Sequence, residues 1–206
     1  GENGSGQLGL GDTANRNEWT EVTLPKGFTI EEVVDGDKHT FLKGKVGGED
    51  KIYACGMNDR GQLGLGVSTL RNKWTEVPSP KGFSVEKVMA GGSHSFCKGK
   101  GKDGEDKLYA CGWNNFGQLG LGDYKNRIKI TEVTIPNGYK IEKVVVGENY
   151  TFFKGKVFNT GLGFTLTTVE IVSEQPFVAI PTTEYDVEIK GVAVTVDPIV
   201  LFNPVD

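Results

Sequence analysis

Apolar residues in the first three-quarters of the chain fall in short runs, each closed by glycine or charge. Residues 29–34, 38–43 and 51–55 form one set, and residues 84–89, 94–98 and 107–111 repeat it. No segment holds a 3.6-residue period over ten or more positions, so the pattern predicts short β-strands and no helices. Further candidate strands lie at 164–172 and 177–180. Residues 184–190 alternate polar and apolar, and 192–196 resume after Gly191. Pro176, Pro181, Pro198 and Pro204 punctuate that last stretch.

The strands belong to an internal repeat. Gly6-Gln7-Leu8-Gly9-Leu10-Gly11 returns at residues 61–66 and again at 117–122, so Gln7, Gln62 and Gln118 are spaced by 55 and 56. Trp19, Trp74 and Ile130 keep the same beat, as do His39, His94 and Tyr150, and Lys-Gly-Lys recurs at 43, 98 and 154. The one-residue slip falls after Lys-Gly-Lys, where an insertion is tolerated in an exposed turn between strands. Roughly four short strands in a unit of about 55 residues is the requirement of one β-propeller blade.

Composition narrows the classes. Thirty glycines in 206 residues are about twice the usual share, without the every-third spacing of collagen. The net charge of −4 argues against direct nucleic-acid binding through bulk charge. No apolar run reaches the ~20 residues of a membrane span. Three cysteines, an odd number without C-x-x-C spacing, read as small core residues of an intracellular protein, cytoplasmic or nuclear. The chain opens on Gly1 rather than methionine, which reads as an N-terminal part trimmed, processed or left out.

The repeat carries a resemblance. Cys-Gly-Met-Asn-Asp-Arg-Gly-Gln-Leu-Gly-Leu-Gly at 55–66 resembles the signature of the regulator of chromosome condensation family. So do residues 111–123, Ala90-Gly91-Gly92-Ser93-His94-Ser95, and weaker relatives at 35–40 and 146–151. The resemblance covers residues 1–156 and implies a propeller of four-stranded blades, usually about seven to a ring. The expected fold class is therefore all-β: a partial β-propeller of about three four-stranded blades plus a C-terminal β segment. The units are 1–55, 56–111 and 112–156, followed by an acidic tail at 157–206 with one lysine against seven carboxylates. That tail is expected to lean on the last blade, where the repeat's third strand has no match, or on another chain.

The signature residues read as structural. Glycines serve positive φ or close approach, Leu63 and Leu65 anchor a loop between blades, and the glutamines satisfy loop backbone. Trp19, Trp74 and Ile130 are expected at one equivalent place in three superposable sheet units, with His39, His94 and Tyr150 at another. His39 and His94 share a position with Tyr150, which points to a packed, hydrogen-bonding aromatic rather than a base. Ser95 and His94 are strand neighbours facing opposite ways, so they form no nucleophile pair. Gly4 to Gly9 and Gly99 to Gly104 satisfy G-x-G-x-x-G but precede no helix, and Asn3 and Asn149 begin formal glycosylation triplets. The sequence offers no catalytic, cofactor-binding or metal-ligating set.

Function is expected from binding. Two turns vary where the rest repeats, and they are the candidate partner contacts: Val46, Gly47, Glu49 and Asp50 in one, Gly101, Lys102, Asp103, Glu105 and Asp106 in the other. The expected partners are other protein chains, in self-association or a larger complex. The family resemblance adds a small Ran-like GTPase, with guanine-nucleotide exchange as the rival activity; a structural subunit of a large assembly is a third.

Overall fold

A computed structural model describes residues 1–136, 139–158, 165–173 and 178–180. Its strands are β1 (Phe28–Asp35), β2 (His39–Val46), β3 (Glu49–Gly56), β4 (Arg71–Glu76), β5 (Ser84–Ala90), β6 (His94–Lys100), β7 (Asp106–Gly112), β8 (Arg127–Glu132), β9 (Tyr139–Val146), β10 (Thr151–Phe158), β11 (Thr165–Ser173) and β12 (Val178–Ile180). They form three four-stranded antiparallel sheets, each ordered as its strands follow in the chain. There is no helix among the described residues, and therefore none long and apolar enough to cross a membrane. The all-β partial propeller is the observed architecture.

The sheets are cut differently from the sequence repeat. Each begins after the Gly-Gln-Leu-Gly-Leu-Gly loop, so that loop and the strand following it close the sheet that started earlier. In the third sheet the outer positions are taken by β11 and β12, with Phe153 opposite Ile171 and Glu170 opposite Ile180. The alternating run at 184–196 lies outside the described residues.

The core is a pair of seams between sheets. Phe41, Ile52, Ala54, Leu63 and Val77 from the first sheet and its loop pack with Val85, Val88 and Cys97 of the second. Phe96, Leu108, Ala110, Leu119 and Val133 repeat the arrangement against Ile141, Val144 and Phe153 of the third. Each seam joins one face of a sheet to the opposite face of the next, as stacked repeats require.

Lys-Gly-Lys has a local cause. β5 slips register between Val85 and Lys87, and the bulge brings its backbone across Gly99. A Cβ at Gly99 would collide with the Ser84 carbonyl oxygen and stand 2.9 Å from the Phe83 ring. Gly44 meets the Thr29 carbonyl and the Phe28 ring in the same way.

One expectation fails. Trp74 on β4 and Ile130 on β8 occupy equivalent, half-buried places, but Trp19 is fully exposed and lies in no strand. Residues 16–21 align with β4 and β8 in the repeat but pair with no strand among the described residues. No described residue covers the indole.

Candidate interaction surface

The residues richest in chemistry are consumed inside the seams. Asn3, Asn58 and Asn114 stand four positions before the three glutamines, and all are fully buried. Asn58 Oδ1 accepts the Leu63 N–H at 3.0 Å, while its Nδ2 donates to the Val67 and Thr69 carbonyls at 2.8 and 3.1 Å. Asn114 spans its loop likewise, from the Leu119 N–H at 2.9 Å to the Asp123 carbonyl at 2.7 Å. An amide with both ends engaged closes a loop that has no ladder of its own. The same burial takes Asn3 out of consideration as a glycosylation acceptor. Gln62 Oε1 accepts the Arg60 N–H at 3.0 Å, as expected for the glutamines.

Each loop then docks on the next sheet. The Gln62 carbonyl receives the Ser95 hydroxyl at 2.9 Å and the Cys111 thiol at 3.4 Å. The Gln7 carbonyl receives Thr40 at 2.8 Å and Cys55 at 3.3 Å. Gly64, at φ 70°, lets the loop lie against Ile130, whose Cγ2 would stand 2.8 Å from an added Cβ.

The histidines complete this ladder. His39 Nε2 meets Ser95 Oγ at 2.9 Å across the first seam, and His94 Nε2 meets Thr151 Oγ1 at 2.9 Å across the second. His39 and Ser95 are 56 positions apart, so comparing neighbours along a strand could not find the pair. It is not a nucleophile with its base. The Ser95 proton goes to the Gln62 carbonyl, so His39 Nε2 carries the other proton and donates. Burial lowers both imidazoles to about 4, with the His94 charge adding to the effect on His39. The cysteines are buried free thiols. Burial raises Cys55 and Cys97 to about 12 and Cys111 well above its ordinary value, which removes thiolate reactivity. Among the described residues no His, Cys, Asp and Glu cluster is arranged for a metal.

The two variable turns lie elsewhere, at one end of the sheets. Gly47 and Gly48, at φ 59° and 87°, make the two-residue turn between β2 and β3. Gly101 to Glu105 make the longer turn between β6 and β7, closed by the Gly101 N–H on the Glu105 carbonyl at 2.9 Å. Both turns flank residues 82–84. Asp50 accepts the Ser84 hydroxyl at 2.6 Å on one side, and Lys102 lies beside Gly82 on the other.

Within the candidate set the roles divide. Asp50 is held by Ser84 and by Lys45 at 3.9 Å. Asp106 pairs with Lys100 at 2.5 Å; burial works to raise its carboxyl, but the Lys100 hydrogen bond and charge hold it below the usual range. Glu105 accepts the Asp103 N–H at 3.1 Å and stands 3.7 Å from Lys107. Val46 and Gly101 are half-buried, whereas Gly47, Glu49, Lys102 and Asp103 face solvent.

Three stacked four-stranded sheets, joined by buried loops and cross-seam hydroxyl pairs, define a segment of a β-propeller. Residues 49–97 and 105–153 match the model of the Regulator of chromosome condensation (RCC1) repeat, and the chain belongs to the RCC1-repeat family. It is 29% identical over 159 residues to the ultraviolet-B receptor UVR8 of Arabidopsis thaliana, covering 76% of this chain and 34% of UVR8. It is 36% identical over 115 residues to the X-linked retinitis pigmentosa GTPase regulator of Canis lupus familiaris, covering 55% of this chain and 11% of that protein. In fold it resembles Prp20p from Saccharomyces cerevisiae, whose structure was described with its binding to Gsp1p and histones. The TM-score is 0.53 at 19% identity, over 75% of this chain and 39% of that one. The chain thus spans about a third or less of the curated relatives named here.

Proposed function

We propose that this chain is a non-enzymatic β-propeller module that holds other protein chains, with the turns at Val46–Asp50 and Gly101–Asp106 as contact points. One observation carries the reading. The histidines and cysteines of the repeat are spent in the seams and the asparagine and glutamine side chains on closing their own loops, while Gly47, Glu49, Lys102 and Asp103 project into solvent from one end of the sheets. A rigid scaffold with variable exposed turns is the usual arrangement of a binding surface. Kinship with other RCC1-repeat proteins supports a propeller interaction module.

The test pairs binding with stability. Glu49→Lys combined with Lys102→Glu reverses charge on both tips without touching Asp50 or Asp106. The double variant is expected to lose the partners that the parent retains on affinity capture, with an unchanged thermal midpoint. Retention of the same partners would remove the turns from the surface.

Prp20p, described with its binding to Gsp1p, favours a second reading, guanine-nucleotide exchange on a Ran-like GTPase. On the proposal argued here, the purified chain does not accelerate nucleotide release from such a GTPase. Acceleration would favour exchange.

A further inference from the structure

The three glycine loops differ by one charge at their ends. In the first, Arg16 Nη2 donates to Asp12 Oδ2 at 2.6 Å; in the third, Arg127 Nη2 donates to Asp123 Oδ2 at 2.6 Å. The other oxygen of each carboxylate accepts a backbone N–H two residues on, from Ala14 at 3.0 Å and from Lys125 at 2.9 Å. The arginine, and after it that N–H, holds each carboxyl below its usual range.

The middle loop has the arginine without the carboxylate. The equivalent of Asp12 and Asp123 is Val67, which is exposed. Arg71 pairs with no carboxylate among the described residues. Its Nη1 donates instead to Thr69 Oγ1 at 2.6 Å, with the Leu70 and Thr69 carbonyls at 3.2 and 3.4 Å. Its Nη2, the nitrogen that takes the carboxylate in the other two loops, meets no acceptor among the described residues. Thr69 itself faces solvent, and residues 68–70 belong to no strand. Residues 66–75 carry Arg71 and Lys73 and no acid, so nothing within the segment offsets their charge.

We propose that Thr69 is a phosphorylation site whose phosphate takes, on Arg71, the place that Asp12 and Asp123 hold in the other two loops. A protein kinase supplies the γ-phosphoryl group of ATP. The new O–P bond forms at Thr69 Oγ1 as the bond to the nucleoside diphosphate breaks, and the hydroxyl proton passes to the kinase's base. The oxygen that Arg71 already contacts then carries a charge of about −1.5 to −2 and three further acceptors. A planar guanidinium engages such a group through two donors, so Nη2 joins Nη1. Basic residues two and four positions beyond Thr69 suit a kinase that selects cationic substrates. Arg71 lies opposite Gly56, at the end of β3 away from the hairpin tips, so the site is separate from the contacts proposed above.

The experiment has two arms. In the first, phosphothreonine is encoded at position 69 of the full chain and titrated by phosphorus NMR. Its second ionisation, at about 6 for a free phosphate ester, is expected to fall by about half a unit or more, and Arg71→Gln should return it. Phosphoserine encoded at position 68, with Arg71 intact, should shift less; this comparison does not depend on the folding of Arg71→Gln. An ionisation indifferent to Arg71, or equal at 68 and 69, would overturn the capture. In the second arm, the folded chain and a peptide of residues 61–76 are treated with ATP and a panel of basophilic serine/threonine kinases, then mapped. Thr69 is expected to be labelled in both. Labelling at Ser68 instead, in the peptide but not the folded chain, or in neither, would overturn the site. Neither arm reads partner capture, so either result stands apart from that of the tip variants.

Discussion

A buried asparagine matters here for what it leaves behind when removed. Asn58 serves the Leu63 N–H and the Val67 and Thr69 carbonyls in a loop that lies outside the named strands. Asn58→Ala would strand these groups out of reach of water, at a cost of about 2–3 kcal/mol. Urea unfolding of the purified variant, compared by midpoint at equal slope, measures this. An asparagine stands four positions ahead of each of the three glutamines, a regularity that carries no role by itself. Only its geometry showed that it clamps the loop. His39 and Ser95 were illegible as a pair, because their contact depends on how two sheets stack.

At the scale of one element, β6 shows how a glycine landmark acquires a reason. Gly99 is not in a left-handed conformation; it is required because the β5 bulge crosses it. Gly99→Ala should therefore cost about 1–3 kcal/mol through overpacking. Gly104→Ala, at φ 79° in open space, should cost about 1 kcal/mol from backbone strain alone. Thermal midpoints that reversed this order would refute the account. Cross-strand pairs such as Lys51 with Glu76 at 2.8 Å and Lys107 with Glu132 at 2.6 Å recur between sheets, but exposed pairs contribute little to stability.

Across the molecule, the two seams are linked to pH through His39 and His94. Both imidazoles lie near 4 when folded, below their ordinary 6.5. Between these values the unfolded chain binds protons that the folded chain does not, so stability falls as pH drops through the window. It is complete above about 6.5 and levels off, for these groups, below about 4. Each histidine contributes on the order of 3 kcal/mol to the full change. Chemical denaturation at pH 7 and pH 4.5 should show the loss, and replacing His94 by Phe should shrink it.

Strand length, the absence of helices among the described residues and the three-fold repeat are local matters, set by short apolar runs, glycine punctuation and a period of 55 or 56 residues. Those features were complete in the order of residues, because a strand's two faces follow from alternation alone. Which faces meet was not. Trp19 and Trp74 share a motif, and Val33 and Val88 share a position, yet one member of each pair is exposed and the other at least half-buried. A repeat makes every unit look alike in sequence, but burial depends on having a neighbour on each side. Only the stacking of sheets supplies or withholds that neighbour.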